Sequence, residues 1–159
     1  MNLRNRVGIL FTLLFGIAIG SAASLASDKS DVVDAVHRYV DNLESDKLQA
    51  ALAMCDSQVS IVDEFPPHEW HGPTACEDWW KGLLAYNEKN GITEGIATVG
   101  APLTVDVNGD HAYFVAPATY TYKQHGTAVK ETASFTAALR RTQAGWRITG
   151  WTYSKMTVR

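Results

Sequence analysis

The helical period of the apolar residues ends for good at Asn90-Gly91, and that switch constrains the fold more than any other feature. Before it, apolar residues recur every three or four positions; after it, they alternate. Val32, Val36, Tyr39, Val40 and Leu43 form one helical stripe, with Asp34, Arg38 and Asp41 off it. Ser30 reads as the cap of that helix, with Asp31 in its first turn. A second helix follows Ser45 and carries Leu48, Ala51, Leu52 and Cys55. Thr74-Ala75-Cys76-Glu77 reads as a capping box. The helix it opens places Cys76, Trp79, Trp80, Leu83, Leu84 and Asn87 on one side and stops at Asn90-Gly91. Between the second and third helices Val59, Ile61 and Asp63 alternate with Ser60, Val62 and Glu64, until Pro66-Pro67 ends the run.

Beyond Gly91, Leu103, Val105 and Val107 alternate up to a hairpin signal at Asn108-Gly109. Residues 112–123 are rich in Tyr, Phe, Val and Thr, and Pro117 within them reads as a bulge or an edge position. His125-Gly126 and Gln143-Ala144-Gly145 separate two further strands, over residues 129–140 and 146–156. Three helices followed by a long, mostly antiparallel meander make an α+β domain. A curved sheet wrapped on helices can enclose a pocket, and Trp79, Trp80, Phe114, Tyr122 and Trp151 are candidates to line it.

The amino-terminal segment is unlike the rest. Residues 1–26 hold no Asp, Glu or Lys; Arg4 and Arg6 precede an apolar run over residues 7–20, then Ser21-Ala22-Ala23 and Ser24-Leu25-Ala26. This is the pattern of a secretory signal peptide, and its run is shorter than the ~20 residues of a membrane span. The expected organisation is a signal peptide over 1–26 and one domain over 27–159, exported to the periplasm or beyond, with no membrane association after cleavage. Losing Arg4 and Arg6 leaves 12 basic residues against 17 acidic ones, so the charge moves from −3 to −5. Such a surface offers little to neutralise phosphate, which excludes nucleic acid as a partner. An oxidising compartment makes Cys55 and Cys76 candidates for a disulfide, with two buried free thiols as the alternative.

The order and spacing of several short motifs resemble a known family. Tyr39-Val40 with Leu43 and Lys47-Leu48, then Val59-Ser60-Ile61-Val62-Asp63, His71-Gly72-Pro73-Thr74-Ala75, Trp79-Trp80 and the closing Gly145-Trp146-Arg147-Ile148 with Gly150-Trp151 are similar to the SnoaL-like and ketosteroid isomerase-like branch of the nuclear transport factor 2-like superfamily. The resemblance spans residues 30–156. It implies a cone-shaped domain, three helices packed in a strongly curved mixed sheet, with a pocket at one end and pairing into a homodimer. Ketosteroid isomerases use a Tyr on the first helix as oxyanion donor and an Asp after the second helix as base. Tyr39 and Asp63 occupy the matching contexts, 24 residues apart. The family's third element is a protonated Asp on a later strand. The comparable stretch here, Ala133-Ser134-Phe135-Thr136-Ala137, contains no acid.

Two readings follow. One is an exported pocket protein for a small apolar or carbonyl-containing ligand. The other is an isomerase or lyase in which Asp63 is the general base and Tyr39 the oxyanion donor. A carboxylate at the inward parity of Val59 and Ile61 enters an apolar pocket, where its charged form is disfavoured. His68-Glu69-Trp70-His71 supplies metal-ligand types, but it reads as a loop between prolines with no third ligand, so no metal is expected. His71 is instead a candidate second acid/base at the pocket mouth. The chain has no Gly-x-Ser-x-Gly elbow and no glycine-rich phosphate loop, and no cofactor is expected. Arg140-Arg141 reads as a solvated basic pair.

Overall fold

The alternating carboxy-terminal half becomes a set of long strands whose register decides everything else. The structure, a computed structural model, describes residues 19–158. Arg4, Arg6 and most of the apolar run of the expected signal peptide lie outside the described residues. The elements in chain order are α1 (Ile19–Glu44), α2 (Leu48–Leu52), β1 (Cys55–Val62), β2 (Glu69–Gly72), α3 (Ala75–Lys89), β3 (Ile92–Val99), β4 (Thr104–Asn108), β5 (His111–Gln124), β6 (Thr127–Thr142) and β7 (Gly145–Val158). The seven strands form one mixed sheet in the order β2-β1-β7-β6-β5-β3, with β4 also on β5. Only β1 and β7 pair in parallel. The expected α+β architecture, helices against a curved and mostly antiparallel sheet, is the one observed.

Helix α1 buries the predicted stripe: Val32, Val36, Tyr39, Val40 and Leu43 are all in the core, joined by Ala35. Burying each such aliphatic side chain stabilises the fold by about 1.5–3 kcal/mol. The helix begins well before Ser30, which lies in its interior and donates to the Ser27 carbonyl at 2.9 Å instead of capping. Helix α2 is a single short turn, so Cys55 belongs to β1 rather than to a helical stripe. Thr74 does start α3, but its hydroxyl donates to the Asp78 carboxylate at 2.7 Å and caps no backbone N–H, so the capping box does not form. Gly91 ends α3 with a φ of 62°, a value glycine adopts without steric cost.

Two further expectations change. The segment around His71 is a strand, β2, paired antiparallel to β1 with Ser60 opposite His71. Its four residues were too few to show a period. Pro117 is neither at a bulge nor at an edge. It pairs with Ser134 on one side, and on the other it falls where β5 changes partner from β4, whose first residue lies opposite Val115, to β3, whose last residue lies opposite Ala118. A residue without an N–H is tolerated at that handover because no ladder bond is lost. The Pro117 carbonyl still accepts from Gly100 N at 2.8 Å.

The β1–β7 pairing positions the end of β1. Ser60 lies opposite Gly150, and a Cβ at Gly150 would come within 2.8 Å of the Ser60 carbonyl oxygen. Glycine there allows the close approach that carries Ile61 beside Trp151. Cys55 and Cys76 are joined by a disulfide, which ties the start of β1 to the first turn of α3 across a sequence separation of 21.

Candidate functional site

A cavity of about 770 Å³ lies between α1, α3 and the inner face of β3, β5, β6 and β7. That size suits a small organic molecule. Tyr39 reaches it from α1, and Asp63 from the residue after β1. Trp79 and Trp80 enter from α3, Tyr122 from β5 and Trp151 from β7. Phe114 does not: it is fully buried in the core and packs edge-on against His37. His71 also lies apart from the cavity, largely exposed, with Nδ1 at 3.1 Å from Ser60 Oγ and Nε2 at 3.3 Å from Glu69. Parity explains His71, whereas Phe114 shares the inward parity of Ala118 and Tyr122 and lies farther along β5, under α1. His71 sits on β2 between inward Trp70 and the turn at Gly72, so its side chain falls on the outer face. His68 turns elsewhere, to the Asp63 carbonyl at 3.3 Å, so the two histidines do not converge.

Asp63 is 8% exposed, and its carboxylate is held from both sides. Trp79 Nε1 donates to Oδ2 at 2.8 Å, and the Glu64 backbone N–H donates to Oδ1 at 2.7 Å. Neither partner is a cation. Burial pushes the Asp63 pKa above the ordinary aspartate value of 3.8; the Trp79 and Glu64 donors pull it back, Glu131 pushes it up and Lys155 pulls it down. Tyr39 is pushed up too, first by burial and also by the charge of Asp63, so its hydroxyl stays protonated at neutral pH. The Trp151 indole N–H lies close enough to favour the phenolate slightly, but it falls short of hydrogen-bond geometry. The rings around this pair interlock: Trp79 meets Trp151 edge-on at 4.7 Å between centroids, and Trp151 tilts against Phe135 at 5.6 Å.

A second carboxylate was hidden from the sequence reading. Glu131, on β6, is 3% exposed and lines the same cavity. Tyr122 donates its hydroxyl to Oε1 at 2.8 Å, and Lys155 Nζ stands 3.5 Å from that oxygen. Oε2 has no hydrogen-bond partner among the described residues. Lys155 is held more closely by Glu64, at 2.7 Å. Burial opposes the Lys155 charge, but Glu64 and Glu131 outweigh it and keep the ammonium protonated. The signal for Glu131 was its parity. Residues 131, 133, 135, 137 and 139 all face inward on β6, so the acid stands two positions before Ala133, on the same face.

The basic pair differs from its expected solvated state. Arg140 forks onto the buried Asp56 carboxylate at 2.7–3.1 Å, and Arg141 stacks on Trp146 at 4.5 Å while pairing with Asp28 at 2.6 Å.

The family model for a SnoaL-like domain matches residues 30–159. The chain belongs to the SnoaL-like domain family. Solved structures share the fold at low identity. A nuclear transport factor 2-like protein with a cystatin-like fold from Novosphingobium aromaticivorans matches with a TM-score of 0.70 and 19% identity, over 86% of this chain and 87% of its own. A hexachlorocyclohexane dehydrochlorinase from Novosphingobium barchaimii matches at 0.73 and 10% identity, over 87% and 93%. A ketosteroid isomerase-like protein from Erwinia carotovora atroseptica matches at 0.63 and 13% identity, over 82% and 97%. No protein of curated function matches the sequence. This SnoaL-like domain therefore has the nuclear transport factor 2-like fold, and the side chains in its cavity are its own.

Proposed function

We propose that this SnoaL-like protein binds a small carbonyl-containing molecule in the cavity and moves a proton on it, with Asp63 as general base and Tyr39 as the hydrogen-bond donor to the carbonyl oxygen. The observation that carries the reading is the pairing itself. A buried carboxylate with a raised pKa and no cation bonded to it among the described residues faces the same cavity as a phenol held protonated. A base poised this way removes a proton next to a carbonyl, and the electron pair moves onto the oxygen, where Tyr39 stabilises it. Returning the proton at another carbon gives an isomerisation; losing a leaving group gives an elimination. The apolar walls, Trp79, Trp151 and Phe135, keep water from competing for the charged intermediate. The test is deuterium exchange at the α-carbon of a panel of enolisable ketones, followed by NMR. Wild type should exchange and Asp63→Asn should not; exchange that survives the substitution contradicts the assignment.

The same proposal places the mature protein outside the cytoplasm, on the strength of the residues 1–26 pattern, and pairs it with a second copy through the sheet face, as the family resemblance implies. Among the described residues no helix is long and apolar enough to cross a membrane. Amino-terminal sequencing of the purified protein tests cleavage after Ala26, and native mass spectrometry tests the dimer.

A further inference from the structure

We propose that the cavity selects a ligand bearing a protonated amine, seated against Glu131. The inference rests on the reading of this cavity as a small-molecule site and names the class of molecule. Glu131 Oε2 is buried and has no partner among the described residues, although its twin oxygen is bonded. A buried carboxylate oxygen left without a donor is costly, and a ligand N–H is the natural complement.

The charge balance points the same way. Asp63, Glu64 and Glu131 line the cavity, while Glu94 on its wall is already paired with Lys123 at 2.8 Å and stays out of the balance. Lys155 is the only Lys or Arg among the described lining residues, and its ammonium is already engaged by Glu64. A neutral apolar ligand would exclude water while leaving this excess of carboxylates uncompensated, and an anion would be repelled. An ammonium supplies both the donor and the charge. Tyr120 and Tyr122, with ring centroids 5.0 Å apart, stand on the same wall, and aromatic rings favour a cation beside them. Two further buried groups on this wall, the Trp151 indole N–H and the Tyr153 hydroxyl, also lack partners among the described residues. They suit a carbonyl oxygen on the same molecule, so the class narrows to amino-carbonyl compounds.

Isothermal titration of wild type with naphthylmethylamine, naphthylmethanol and naphthoate, at neutral pH and low salt, separates charge from shape. The amine should bind about tenfold tighter than the alcohol, with naphthoate weakest. Glu131→Gln should remove about that tenfold preference while leaving the alcohol within about twofold of wild type. Equal binding of amine and alcohol, tighter naphthoate, or a preference that survives Glu131→Gln overturns the inference. If the variant does not fold, the wild-type ranking decides alone. Alcohol binding that matches the amine while α-proton exchange persists refutes the amine and leaves the Asp63 assignment standing. Failure of all three probes to bind overturns the inference together with the small-molecule reading.

Discussion

Strand β1 has a buried aspartate near each end, and the two are set up in opposite ways. At the start, Asp56 meets the Arg140 fork and both donors of Ser57. Burial works against its charge, but the Arg140 and Ser57 bonds outweigh that and hold its carboxyl below the ordinary 3.8. At the end, Asp63 has an indole and a backbone N–H but no bonded cation among the described residues, a neighbouring carboxylate in Glu131, and a pKa raised above the same 3.8. One aspartate is fixed as an anion and ties β1 to β6 across β7. The other keeps an affinity for protons and opens onto the cavity. A residue type alone says little about chemistry; whether a cation completes the pair decides between a structural brace and a base.

The contrast is sharpest in catalysis. Asp63→Asn should lower kcat for α-proton exchange by about a thousandfold or more, since it removes the base itself. Breaking the disulfide that anchors the Asp56 end, by Cys55→Ser with Cys76→Ser, should cost about 3 kcal/mol of stability for a loop of this length, read by urea denaturation. Arg140→Met should leave Asp56 buried without its cation and cost about 2 kcal/mol, discounted for the exposure of the Arg140 side chain, while exchange per folded molecule stays at the wild-type rate. Tyr39→Phe should slow exchange about tenfold, a smaller loss than Asp63→Asn because it removes one hydrogen bond and no proton acceptor.

The pH dependences should separate as well. Asp56 has a folded pKa below its unfolded value, so its stabilisation is present above 3.8 and is lost as pH falls through the folded pKa. Asp63 has a folded pKa above its unfolded value, so the folded state binds its proton more tightly and stability declines as pH rises from 3.8 through the folded pKa. Activity runs against that decline, because the base works only when ionised. The rate should rise through the same window.

Much of the domain was legible in sequence because burial is periodic. The α1 stripe, the inward parity of Val59, Ile61 and Asp63, and the stop at Gly91 all follow from local geometry. The Tyr39–Asp63 pair followed from family spacing, and both residues line the same cavity. What stayed hidden depends on distant partners. Ser30 looks like a cap until the preceding residues are seen to be helical. Arg140 looks solvated until Asp56, 84 residues away, is placed beside it. Glu131 was readable by parity alone, but an acid between Lys130 and Thr132 on an alternating strand looks like surface until α1 and α3 are placed over that face of the sheet.

The most direct measurement is a carboxyl-carbon NMR titration that resolves Asp56 and Asp63 in the same sample. Asp63 should titrate above 3.8 and Asp56 below it, with Arg140→Met raising Asp56 and leaving Asp63 in place. Coincident titration of the two carboxyls, or Asp63 titrating below Asp56, would contradict this contrast.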